Sequence, residues 1–251
     1  MEAIITVLMD VLIFILGFSG SLGVFWFYNH LPLSWFRDYG VAEGENGGPD
    51  PRMKRFPDGV WFCTILPFIL FLFYLRYDIS LAFVCSVFSI YIFACVFAAD
   101  KKTQIIPDQF IVSLLFVSLL WMVNDMYYIQ ESGEAWYWGI LMRTAGGVIG
   151  GGVLWIISFI GSRVLKQEAM GMGDVKLAFA CGGIAGASGI FWVLVLSFLF
   201  AFFPALFHML GKRQVRGRIP FAPFLVIATA LYILFPSEFA LFSYWYSHFA
   251  F

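Results

Sequence analysis

Two stretches set carboxylates at the edges of apolar runs: FAADKKTQIIPDQF, with Asp100 and Asp108, and EAMGMGDVKLAF, with Asp174. A charge beside hydrocarbon is costly, so a retained one marks a functional site unless its surroundings explain it. Two carboxylates held close together cannot both ionise easily, and they share a proton. The ionised partner can take a proton from water. The protonated partner can polarise a carbonyl and later supply a proton to a leaving amine. That is amide hydrolysis with neither a metal nor a covalent intermediate. Gly171 and Gly173, lacking side chains, let the backbone bend ahead of Asp174 and leave room for an extended chain to approach. Little else in the chain offers chemistry. His30, His208 and His248 are dispersed, and Cys63, Cys85, Cys95 and Cys181 sit in apolar runs with no CxxC pair, which reads as packing rather than as zinc or disulfide sites.

The elements that must position these acids follow from composition. The chain has 251 residues, of which 61% are hydrophobic and only 12% charged. A water-soluble domain could not hide that much apolar surface, and several runs are long enough to cross about 30 Å of hydrocarbon. The expectation is an all-α, polytopic membrane bundle of about eight transmembrane helices, near residues 4–28, 59–75, 79–99, 109–124, 138–161, 175–187, 190–211 and 221–237. Residues 1–58 then form a first helix with its loop, and residues 59–251 form the main membrane domain. The first run lacks a basic leader and a small-residue cleavage site, so it reads as a retained helix. The aromatic tail LFSYWYSHFAF suits a segment resting at the interface.

Charge sets the orientation. Arg37, Arg52, Lys54 and Arg55 follow span one, and Lys101 and Lys102 follow span three. Arg163, Lys166 and Lys176 surround the start of span six, and Lys212, Arg213, Arg216 and Arg218 follow span seven. Of 15 Lys and Arg residues only Arg76 and Arg143 fall elsewhere. Alternate loops carry Asp78, Asp125, Glu131 and Glu134 instead. The positive-inside rule therefore places both chain ends outside and the basic loops in the cytoplasm. On that topology Asp100 closes span three, Asp108 opens span four after Pro107, and Asp174 opens span six, all at the cytoplasmic face. Asp108 is either a helix cap, as an acid at a helix start suits the dipole, or a supporting acid of the site. Lys176 is either a solvated inner-face charge or a partner that steadies the acids. Asp10 lies within span one and would hydrogen-bond to a neighbouring helix. Arg143 would reach the outer interface, and the glycines of TAGGVIGGGVLW would let span five pack closely on a neighbour.

These segments resemble one family. AMGMGDVKLAFACGGIAG is similar to the GxGD segment of the type IV prepilin peptidases, ADKKTQIIPD to their first-aspartate segment, and GRIPFAPFLVIA to their late Pro-Phe-x-Pro-Phe segment; the likeness covers roughly residues 60–237. The resemblance implies catalytic aspartates at Asp100 and Asp174, with Asp108 matching a recurrent acid. It also implies a prepilin or pseudopilin substrate, with a short basic leader, a Gly before the cut and a hydrophobic helix after it. The location would be the cytoplasmic (inner) membrane, with no nucleic-acid partner. Many members carry two CxxC pairs that bind zinc in the loop after the first span, alongside N-methylation of the product with S-adenosylmethionine. Here that loop, LPLSWFRDYGVAEGENGGPDPRMKRFPDG, has no cysteine. Cleavage without zinc or cofactor is the expectation, and S-adenosylmethionine would be needed only if methylation is retained.

Two other readings compete. Presenilin and signal peptide peptidase also use GxGD, with an earlier Tyr-Asp and a later Pro-Ala-Leu, and this chain has Tyr77-Asp78 and Pro204-Ala205-Leu206. The topology puts Asp78 on the outer side, opposite Asp174, and Pro204 within a span. A proton-coupled transporter would also keep acids in the membrane, yet these acids gather at one face and no inverted repeat is evident.

Overall fold

The structure is a computed structural model that describes residues 2–36, 50–131, 135–166, 170–210 and 220–241. Arg37, Glu134, Lys212, Arg213, Arg216, Arg218, His248 and residues 242–251 of the aromatic tail lie outside the described residues, as do the side chains of Glu131 and His208. Seven helices are described: α1 (Glu2–Asn29), α2 (Val60–Tyr77), α3 (Leu81–Thr103), α4 (Asp108–Glu131), α5 (Tyr137–Leu165), α6 (Met172–Leu210) and α7 (Ala222–Leu234). The chain is an all-α polytopic membrane protein. Backbone polar groups in hydrocarbon must be satisfied within their own segment, and helices do this.

Among the described residues six stretches are long and apolar enough to cross a membrane: Thr6–Asn29, Arg55–Tyr77, Leu81–Thr103, Asp108–Ile129, Tyr137–Val164 and Met172–Phe207. The sequence suggested about eight, and two features account for the difference. The sixth and seventh spans form one continuous helical element, α6, broken only by non-helical backbone at Gly186 (φ 77°, ψ 174°). The eighth is α7, whose 13 residues reach only about 20 Å at 1.5 Å per residue. Another correction concerns Asp125, which the sequence placed in a loop; α4 runs on past it to Glu131.

The chain forms two compact units, Met1–Phe110 and Ile111–Phe251. In the first, α1 packs on α2 where Gly17 meets Pro67: a Cβ at Gly17 would stand 3.4 Å from the Pro67 Cα. Tyr91 of α3 lays its hydroxyl against Gly20 and donates it to the Gly17 carbonyl at 3.2 Å. Phe73, Cys85 and Val96 are wholly buried in this unit. The α2–α3 turn uses Asp78 at positive φ, and Ser80 caps α3 by accepting from the Phe83 N–H at 3.2 Å.

In the second unit α5 and α6 meet backbone to backbone. A Cβ at Gly146 would collide with the Gly182 and Gly186 backbones, and one at Gly150 would stand 2.7 Å from the Ala178 carbonyl oxygen. The glycine-rich run of α5 therefore does pack closely on a neighbour, as its composition suggested. α7 covers the far part of α6, with Tyr232 against Gly189 and Phe221 beside Phe198 at 5.5 Å. Outward faces stay apolar: Leu8 is 63%, Phe116 63% and Val164 73% exposed. Apolar side chains so exposed suit lipid rather than water.

Arg143 does not reach for the outer interface. It is buried, with 9% of its surface exposed, and its guanidinium grips Asp125 through Nε to Oδ2 at 2.7 Å and Nη2 to Oδ1 at 2.8 Å. A buried arginine needs a matched anion and geometry for all its donors, and α4 supplies the anion.

Candidate active site

Asp100 occupies the last turn of α3. It is 5% exposed and shares a face with Phe93 and Val96, both buried, as the three- and four-residue helical spacing dictates. Lys101 points the other way, its ammonium 5.8 Å from the Phe97 ring centre. Lys102 is turned toward the segment preceding α2: it pairs with Asp58 and donates to the Arg52 carbonyl at 3.1 Å, while Asp58 also accepts from the Lys54 N–H at 3.3 Å. Sequence reading missed Asp58. The signal was there in topology, since Asp58 is an acid on the same face as a basic loop. Helix α3 stops at Gln104, which takes left-handed backbone and returns its N–H to the Asp100 carbonyl at 3.0 Å. Thr103 donates its hydroxyl to Ala99 at 2.9 Å. Pro107 is buried, and half-buried Asp108 is the first residue of α4, where a carboxylate complements the helix dipole.

Asp174 sits in the first turn of α6, half-buried. Its N–H donates to the Gly171 carbonyl at 3.1 Å, and a Cβ added at Gly171 would lie 3.7 Å from its Oδ2. Met170 and Gly171 precede the helix, whereas Gly173, expected to bend as well, is already helical. The bend is tied to α5 by Ser158, which donates its hydroxyl to the Met170 carbonyl at 3.2 Å. Asp174 shares a face with buried Leu177, Ala178 and Cys181, and Lys176 is exposed. Beside this helix start lies an open groove of about 400 Å3 lined by Trp155, Ser158, Phe159, Ser162, Arg163 and Met172, with the Arg163 guanidinium 4.9 Å from the Phe159 ring centre.

The structure thus gathers Asp100, Pro107 and Asp108 in the first unit and Gly171, Gly173, Asp174 and Lys176 in the second. Asp78 precedes α3 and Asp100 lies in its last turn, both in the first unit; Leu81 to Asp100 alone spans about 29 Å along the axis at 1.5 Å per residue. His30, in the turn just past α1, donates its Nδ1–H to the Trp26 carbonyl at 2.7 Å. All four cysteines are buried thiols.

Residues 87–206 match the model of the type IV leader peptidase family. Through this stretch the chain resembles that family. Both Asp100 and Asp174 lie within the leader peptidase stretch, and so do Gly171, Gly173 and the Gly186 break. Similar proteins include a prepilin leader peptidase/N-methyltransferase of Escherichia coli strain K12, 29% identical over 132 residues, which are 53% of this chain and 54% of that one. Those of Xanthomonas campestris and Aeromonas hydrophila are 27% and 31% identical over 130 residues, covering 51% of this chain and 42% and 41% of theirs. The leader peptidase likeness therefore spans about half the length of these relatives or less. No solved structure matches the chain.

Proposed function

We propose that this protein is an aspartic endopeptidase of the inner membrane that removes the short basic leader of a prepilin or pseudopilin. What carries the reading is that two carboxylates, each fixed at a helix terminus rather than on a mobile loop, fall within the family stretch at the positions where the resemblance expects the catalytic pair. Asp100 ends a helix and Asp174 begins one. The dipole at the start of α6 favours an ionised Asp174, and the dipole at the end of α3 disfavours an ionised Asp100. In the proposed resting state Asp100 holds the shared proton and Asp174 is the base. Asp174 takes a proton from water as the water attacks the scissile carbonyl, and Asp100 donates to that oxygen. The proton then passes to the leaving amine. Because the pair titrates as one unit, its pH profile belongs to both acids.

The substrate brings its own positioning. A precursor anchored by the hydrophobic helix after its cut presents that cut at the cytoplasmic interface, the depth the charge pattern gives both aspartates. Holding enzyme and substrate in one plane supplies orientation that a soluble protease obtains from a deep cleft. Two carboxylates supply both acid and base, so cleavage takes no cofactor. The relatives' name includes methyl transfer; for this chain we assign cleavage alone, because the loop after α1 lacks the cysteines that accompany that activity. Mass spectrometry of the mature substrate's N-terminus checks this: an unmethylated terminus is the expected result, and a methylated one overturns it.

The direct test is leader removal from a co-expressed prepilin by Asp100→Asn and Asp174→Asn, made separately. Each substitution lowers the cleavage rate by at least roughly 100-fold, the scale of a lost general acid or base. Parent-like processing by either variant ends the proposal. Solute flux without proteolysis would favour a transporter, and cleavage within a membrane span that depends on Asp78 would favour a presenilin-like enzyme.

A further inference from the structure

We propose that Arg143 is a positioning residue for Asp174, acting through the first half of α6; the inference rests on Asp174 being a catalytic carboxylate. The whole arrangement lies within the second unit. Gly186 breaks α6, so residues 172–185 form a separate rod about 20 Å long, with Asp174 near one end and Ile184 near the other. The break falls between the Ile184 carbonyl and the residue 188 N–H that an unbroken helix would aim at it. Arg143 fills that place: its Nη1 donates to the Ile184 oxygen. Its other two nitrogens hold Asp125 of α4 at 2.7 and 2.8 Å, and its guanidinium carbon stands 4.9 Å from the Trp121 ring centre. Every nitrogen of the fork is used, and three helices meet at one side chain.

The rod needs such a stop. Its contacts with α5 run through Gly146, Gly150, Ala178 and Gly182, backbone against backbone. Such a seam sets how closely two helices approach; the Phe179 side chain seats against Gly147 and Gly151 midway along the rod, and Arg143 adds a stop at the end far from Asp174. Arg143 sets the axial register of the rod, and through it the depth of Asp174. A lysine cannot do the same, because one ammonium lacks the planar fork that serves a carboxylate and a carbonyl together.

The test uses the full-length chain in membranes with Met172→Cys as the parent. Met172 is 58% exposed at the start of the rod, whereas the native cysteines are buried. Two readouts are taken for Arg143→Gln and for the milder Arg143→Lys: kcat and KM of leader removal, and the rate at which the introduced thiol reacts with a soluble maleimide. The expected result for Arg143→Gln is a kcat about 100-fold lower, the scale of an ångström-sized misplacement, with KM near the parent value and a changed labelling rate. Arg143→Lys gives a smaller loss of the same kind. Folded Arg143→Lys with parent-like kcat and labelling overturns the proposal, as does a loss in both variants that follows only the amount of folded protein. If the protein with its native Met172 does not cleave prepilin, the assigned activity fails. The labelling rates still decide whether Arg143 sets the rod's register.

Discussion

At the scale of single residues, the environment of Asp174 makes a graded prediction. A Cβ at Gly171 would stand 3.7 Å from the carboxylate, an ordinary contact, so Gly171→Ala is expected to keep most of the cleavage activity. Gly171→Val adds branches that must enter the space of Oδ2. It is expected to lower kcat by 10-fold or more, on the scale of misplaced reacting groups, roughly 100-fold per ångström. Steady-state cleavage of a purified prepilin compares the two, and equal rates would show that the approach at Gly171 does not matter. Lys176 is exposed, so Lys176→Ala is expected to cleave at close to the parent rate; a large loss would instead make it a partner of the acids. These contrasts were only partly legible in sequence. GxGD marked the site, but which glycine bends and which is already helical depended on where α6 starts.

At the scale of elements, the glycines of α5 are not equivalent. A Cβ at Gly146 collides with backbone on α6, whereas Gly152 has nothing within 4 Å. Gly146→Ala is expected to destabilise the protein by about 1–3 kcal/mol through overpacking. Gly152→Ala is expected to be neutral or to stabilise by about 0.5–1 kcal/mol, because it removes glycine's backbone entropy. Thermal unfolding in detergent ranks the two, and equal shifts would rule out the close α5–α6 seam. Gly186→Ala must place a side chain at φ 77°, at a cost of about 1–3 kcal/mol. From sequence, only the run GIAGASG separated spans six and seven, and a loop and a local break inside one element have the same composition. Arg143 and Asp125 were the more instructive miss. Arg143 was visible as a basic residue outside the loop pattern and Asp125 read as an ordinary loop acid, and their pairing depended on how α4 and α5 are rotated against each other.

At the scale of the whole molecule, the charge pattern predicts an orientation that can be measured within the first unit alone. Ile79 and Gln104 are exposed at opposite ends of α3. With an impermeant maleimide applied to intact cells, Ile79→Cys is expected to label and Gln104→Cys to label only after the membrane is opened. The reverse pattern would place Asp100 on the outer face, where an inner-face cleavage site could not reach it.

The sequence alone determined that this chain is a helical membrane bundle, where its apolar segments lie, and that Asp100 and Asp174 stand at segment ends. These properties follow from composition and length, because hydrocarbon accepts only apolar segments that satisfy their own backbones. Tertiary structure decided that Asp100 is buried beside Phe93 and Val96, that Asp58 meets Lys102, and that Arg143 serves both Asp125 and the open carbonyl at the α6 break. The physical reason is rotation about the helix axis. Lipid and protein neighbours are nearly equal in apolarity, so the sequence pattern says little about which face turns inward, and the packed contacts themselves make that choice.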